Sequence, residues 1–197
     1  MKIRKKLVTA SILVLLVISL TGCSAGTSGK KGEDWAVDPV SGLAGKVKSF
    51  KVTSESVGED GVLDTACCYT DAAPKGENQS PQLSWEMVSD ATCYTVYMYD
   101  ADAQNFLHWR VADLTETSMK QGAMHMLPMY MGPFPPEGTH HYQITVYALK
   151  TAPQLYEGKV GKRGNVEEIE EYMDVVDGKS GNVVGVGILN CTVTRGK

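Results

Sequence analysis

The chain has 197 residues, 43% of them hydrophobic and 21% charged, and a formal net charge of -4. Setting aside the first 22 residues, with Lys2, Arg4, Lys5 and Lys6, leaves 15 Lys+Arg against 23 Asp+Glu, a charge near -8. Such a body argues against nucleic acid and anionic lipid as bulk partners, and no basic run in the sequence argues the other way.

The N-terminal residues set the expected location. A basic stretch is followed by the apolar run Leu7 to Leu20, which is too short for a comfortable membrane span. It ends in Leu20-Thr21-Gly22-Cys23, which resembles a bacterial lipoprotein signal. The expectation is a signal peptide over 1–22, cleavage before Cys23, lipid on Cys23, and an extracytoplasmic protein anchored to a bacterial membrane. Residues 23–34 are rich in Ser, Gly and Lys and predict a flexible tether. The remainder, 35–197, is the size of one domain with one sizeable core.

Period-two patterning dominates that domain. Phe50–Val52, Leu83–Met87, Cys93–Tyr99, Trp109–Val111, Tyr142–Leu149 and Gly187–Val193 read as strands. Tyr94–Tyr99 and Tyr142–Leu149 are apolar or aromatic on both faces, which predicts neighbouring central strands of a covered sheet. One helix is expected after Asn165: Glu167 and Glu168 fall in its first turn, and Val166, Ile169 and Met173 share a face. The fold class is therefore mainly β, two sheets with one or two short helices. Cys67, Cys68, Cys93 and Cys191 have no C-x-x-C spacing; buried free thiols are expected, with one disulfide as the alternative.

Three segments gather chemistry within this β pattern. Asp100-Ala101-Asp102-Ala103 follows an apolar strand, His108-Trp109 comes next, and Tyr130 to Tyr142 reads YMGPFPPEGTHHY. Alternation would point Asp100 and Asp102 to one face, and would place His140 and Tyr142 on one face with His141 opposite. A carboxylate on one imidazole nitrogen fixes the tautomer and favours the protonated ring, whose other nitrogen can then donate to an anion. With ordinary histidines, anion binding should weaken as pH rises between about 6 and 8. The prolines of Gly132-Pro133-Phe134-Pro135-Pro136 would hold one wall in shape.

These segments, with Gly76–Trp85 (GENQSPQLSW) before them and Tyr147–Leu149 after them, resemble the phosphatidylethanolamine-binding protein family, most closely its bacterial Raf-kinase-inhibitor-like members. The resemblance implies an antiparallel, Greek-key-like two-sheet fold. It also implies a ligand site formed by Asp100, Asp102, His108 and Trp109 on one side and Tyr130, Gly132, Pro135, Pro136, His140 and Tyr142 on the other. Ala101 and Gln104 stand where the family usually has proline, and His141 stands where it usually has arginine.

The function this implies is binding of a small anionic ligand, phosphate or carboxylate, such as a phosphorylated headgroup. An inhibitor or interaction module acting on an extracytoplasmic protease or other enzyme is the alternative, with a protein target in place of a small ligand. Enzymatic activity is not expected, because no G-x-S-x-G, H-E-x-x-H or P-loop accompanies the Asp/His/Tyr cleft that a hydrolase could use. No cofactor and no metal site are implied. The five methionines from Met119 to Met131 around His125 would suit Cu(I), but adaptable apolar lining is the plainer reading.

Overall fold

The structure, a computed structural model, describes residues 38–123 and 129–196. The expected signal peptide, Cys23 and the tether lie outside the described residues, as does His125. Eight strands are described in chain order. They are β1 (Lys48–Ser49), β2 (Val52–Thr53), β3 (Leu83–Trp85), β4 (Cys93–Asp100), β5 (Phe106–Leu114), β6 (Ser118–Met119), β7 (Thr139–Leu149) and β8 (Val183–Thr194), with helix α1 (Val166–Asp174) between the last two. A five-stranded sheet runs β1-β8-β7-β4-β5, and a three-stranded sheet runs β2-β3-β6.

The two doubly apolar segments are adjacent, β4 beside β7, with β7 at the middle of the larger sheet. Their alternation has two destinations. Tyr94, Val96 and Met98 of β4 and Tyr142, Ile144, Val146 and Ala148 of β7 pack into the main core with Val52, Leu83, Trp85 and Met119 of the smaller sheet. Cys93, Tyr97 and Tyr99, with Tyr147 and Leu149, pack instead against Val166, Ile169 and Met173 of α1. A strand covered by a sheet on one face and a helix on the other has no solvent face, so polar alternation disappears from its sequence.

Helix α1 begins at Asn165, whose Oδ1 accepts from the Glu168 N–H. Glu170 adds a feature that patterning missed. Its buried carboxylate accepts from Ser41 Oγ (2.5 Å), the Gly42 N–H (3.1 Å) and Tyr147 Oη (2.9 Å), fastening the start of the described chain to the helix. The expected two-sheet, antiparallel frame is the one observed, with one parallel pairing in it, β1 beside β8. Parallel neighbours cannot be joined by a hairpin, and these two are separated by most of the domain, so no turn constrains their direction. All four described cysteines are buried free thiols.

Candidate functional site

The site lies where β4, β5 and β7 end together. Asp100, the last residue of β4, sits opposite Tyr142 in the β4–β7 register. Its Oδ1 accepts from the backbone N–H groups of Asp102 (3.0 Å) and Ala103 (3.1 Å), capping a short 3-10 turn over Ala101–Ala103. Its Oδ2 lies 2.7 Å from His140 Nδ1. A buried carboxylate needs such partners, and this one is satisfied by them. Asp100 therefore orients His140.

Asp102 departs from the expected geometry. The 3-10 turn interrupts strand alternation, so its carboxylate swings to the other side. There Oδ2 accepts from the His141 N–H (2.6 Å) and pairs with His141 Nδ1 at 2.9 Å. The bonds to His141 hold the Asp102 carboxyl below its ordinary range, working against partial burial. Asp102 and His141 thus form an outer pair, separate from Asp100 and His140. The turn closes through Gln104 and Asn105, both left-handed at φ 56° and 55°, a conformation closed to proline. The box is shaped by capping and by this left-handed pair.

His108 is placed by a β-bulge. Met98 pairs with Trp109 and Tyr99 with Leu107, which leaves His108 as the extra residue of β5. The bulge sends Leu107 to the helix-side cluster and Trp109 to the main core, although they are two residues apart. The His108 ring lies 5.3 Å from the Tyr142 ring, 5.0 Å from Phe106 and 5.6 Å from Phe134. His108 Nδ1 donates to the Met131 carbonyl at 2.7 Å. Burial among these rings is the main influence on the imidazole and pushes its pKa down to about 4, against smaller upward contributions from the Met131 carbonyl and Asp100. The expectation of an ordinary histidine at this position is corrected: His108 is neutral at pH 7.

Tyr142 is fully buried, and its hydroxyl makes no hydrogen bond among the described residues. Burial, followed by the nearby Asp100 charge, raises its phenol well above the ordinary range, so the group stays a donor. Trp109 and Tyr130 take a different place from the one the resemblance implies. Their rings meet edge to face at 5.7 Å in the core, and Tyr130 Oη donates to the Cys67 carbonyl at 2.6 Å. Neither ring has exposed surface, and the Tyr130 hydroxyl is committed to Cys67.

The proline-rich loop supplies the outer wall. The Gly132 N–H donates to Asn78 Oδ1 (2.7 Å), and the Pro133 carbonyl accepts from the Tyr69 N–H (3.0 Å). Pro135 is buried and Pro136 exposed. Phe134, 39% exposed, packs against Phe106, His108 and Tyr69 and is the outermost ring over His108. Phe106, Phe134, Tyr69 and Asn78 all escaped the reading of the sequence. Two of them lay within segments singled out there, Asn78 in the GENQSP motif and Phe134 in the proline loop.

With this geometry in place, the kinship of the chain can be stated. The family model described as phosphatidylethanolamine-binding protein matches residues 53–185. A Mycobacterium tuberculosis protein named as a lipoprotein, LppC, is 29% identical over 181 residues, covering 80% of this chain and 86% of its own. YbcL of Escherichia coli is 29% identical over 134 residues, covering 55% of this chain and 73% of its own. The crystal structure of E. coli YbcL, titled a member of the mammalian PEBP family, superimposes with a TM-score of 0.56 at 22% identity, covering 74% of this chain and 98% of that one. A Chlamydia trachomatis homologue of the family gives a TM-score of 0.53 at 20% identity, covering 75% and 99%. These two structures support the fold. The match over two thirds of the sequence, with its box, His-Trp pair and proline loop, assigns the chain to the phosphatidylethanolamine-binding protein family.

Proposed function

We propose that this chain is a binding protein for a small phosphate or carboxylate anion, held by His108, His140 and Tyr142, and that binding takes up a proton. One observation carries the reading. Both imidazoles spend Nδ1 on a protein acceptor, the Met131 carbonyl and the Asp100 carboxylate, and both rings stand near the ring of Tyr142, at 5.3 and 6.5 Å, whose buried hydroxyl makes no hydrogen bond among the described residues. With Nδ1–H fixed in this way, Nε2 of a neutral ring is an acceptor and repels an anion. It becomes a donor only when protonated, so the anion and a proton bind together. Access to His108 requires the Phe134 ring to move aside.

The affinity for O-phosphoethanolamine is expected to rise as pH falls from 8 to 5. Calorimetry in buffers of different ionisation enthalpy would read the proton uptake, with sulfate as a control whose charge does not change. Zero uptake would sink the proposal. Loss of one charge-assisted hydrogen bond costs about 1.5–3 kcal/mol, so His140→Ala should weaken binding roughly tenfold to a hundredfold. His141→Ala should leave it within about twofold, because that ring is paired with the exposed Asp102. Equal losses in the two variants would show the site to be misplaced.

The sign for stability is opposite. The unfolded His108 imidazole protonates near 6.5 and the folded one near 4, so the unfolded state holds the extra proton between these values. Stability contributed by keeping this ring neutral is full above pH ~6.5 and is lost toward pH 4.

The reading includes a lipid anchor. It is supported by the basic stretch, the short apolar run and Leu20-Thr21-Gly22-Cys23. The relative named as a lipoprotein points the same way. Cys23→Ala is expected to yield chain released from the membrane fraction. Intact mass decides the point, since a mature chain that begins elsewhere or carries no acyl mass refutes the anchor. No helix among the described residues is long and apolar enough to cross a membrane.

A further inference from the structure

We propose a second anion site, for a phosphate group, in the cleft between β5 and the 156–165 segment that leads into α1. A cavity of about 340 Å³ opens there, lined by Arg110, Lys159, Lys162 and Arg163 together with Glu157 and Glu168. Its position is on the helix-bearing face of the large sheet, since Arg110 sits opposite Tyr97 and Ile169 closes the floor. His140 and Tyr142 belong to the other face. Lys159, Lys162 and Arg163 lie within five residues of the sequence, and the fold brings the distant Arg110 beside them.

Several features set this cluster apart from scattered surface charge. The body carries near -8, yet four of its 15 basic residues line one cavity against two carboxylates. None of the four forms a salt bridge among the described residues, where the only ion pairs are those of His140 and His141. Arg110 is half-buried and fixed, because Nη1 donates to the Tyr156 and Gly158 carbonyls at 2.7 Å each. Tyr97 Oη binds the intervening Glu157 carbonyl at 2.8 Å. Three successive carbonyls are thereby committed, while the N–H groups of Glu157, Gly158 and Lys159 donate to no acceptor among the described residues.

The backbone around Lys162 and Arg163 is held as well. Leu107 N–H donates to the Lys162 carbonyl, Gly161 N–H to the Leu107 carbonyl and Gly164 N–H to the Asn105 carbonyl. Two guanidinium groups, two ammonium groups and spare N–H donors suit a group with several charged acceptor oxygens. A phosphate fits that description better than a single carboxylate. The phosphate could belong to a lipid headgroup or to a free small molecule.

Amide NMR of the full chain, titrated with inorganic phosphate, tests the site. Shifts at Gly158, Gly161 and Gly164 are expected to saturate. They should weaken at least tenfold in Lys162→Gln/Arg163→Gln and persist in His140→Gln. Arg110 is left intact because it holds the loop. Repeating the measurement in bilayer discs of phosphatidylcholine, with and without phosphatidylglycerol, separates the sources. Shifts that require phosphatidylglycerol identify a lipid headgroup, and shifts with inorganic phosphate alone identify a free ligand. Shifts in neither setting overturn the proposal, as do shifts that survive the double substitution or vanish in His140→Gln. The last result would leave the His108/His140 site standing as the sole site.

Discussion

Val146→Asp is expected to leave little folded protein. Val146 is fully buried on β7, paired with Val96 on one side and Gly187 on the other, and its side chain joins the core between the two sheets. Two costs combine. Removing the isopropyl group forfeits about 1.5–3 kcal/mol of burial. A carboxylate in its place either loses its hydration unpaired or takes up a proton, which costs several kcal/mol more. The total of about 4 kcal/mol or more is a large part of a typical domain stability of about 5–15 kcal/mol. Thermal unfolding is the measurement, with Val146→Ala as a companion expected to lose about half as much. An unchanged midpoint for the Asp variant would refute the central position of β7.

That position was legible because burial on both faces removes the polar half of a strand's alternation, and Tyr94–Tyr99 and Tyr142–Leu149 carry this mark. Helix α1 was legible from its cap and apolar stripe. The site was legible only in part. Residues that depend on a regular strand period, His140, Tyr142 and His141, lie as alternation places them. The 3-10 turn sends Asp102 to His141, and no pattern in Asp-Ala-Asp-Ala announces that turn. The bulge at His108 is likewise silent in sequence, since one extra residue looks like any other strand residue. Phe106 and Phe134 had no periodic context at all. Phe134 reaches His108 from a loop whose path is set by Asn78 and Tyr69, more than fifty residues earlier in the chain.

Gly132→Ala is expected to damage both the fold and the site. A Cβ there would lie 2.4 Å from the Cys67 carbonyl oxygen, 2.5 Å from the Tyr69 nitrogen and 2.6 Å from the Cys68 carbonyl carbon. All three atoms are backbone, so no side chain can rotate away. The loop would have to lift, breaking the buried bond from the Gly132 N–H to Asn78 and the bond from Tyr69 to Pro133. Overpacking costs about 1–3 kcal/mol, and each stranded buried group adds about 1–3 kcal/mol more. Because the adjacent Met131 carbonyl holds the His108 tautomer, O-phosphoethanolamine binding should fall together with stability. Gly138→Ala is the informative comparison. That glycine has φ +60° but nothing within 4 Å of its Cβ position, so only about 1–2 kcal/mol of backbone strain is expected. Equal unfolding midpoints for the two variants would show that close approach at Gly132 is not what requires glycine.

Strand β8 has a consequence for the order of events in assembly. It lies between β1 and β7, pairs His140 with Val193 and Tyr142 with Cys191, and spans Val183–Thr194. Until those residues have emerged, β7 is an unpaired edge, and its His140 has only Asp100 to steady it. A chain emerging from its N-terminal end can form the β4–β5 hairpin and then the β4–β7 pairing before β8 arrives, because those strands are already present. The sheet itself cannot close. Pairings of such long sequence separation form late and slowly, and an exposed β7 edge is sticky in the meantime. The proposed anion site is therefore completed only once Val183–Thr194 has paired with β7, so ligand uptake by a nascent chain is expected to wait for that strand.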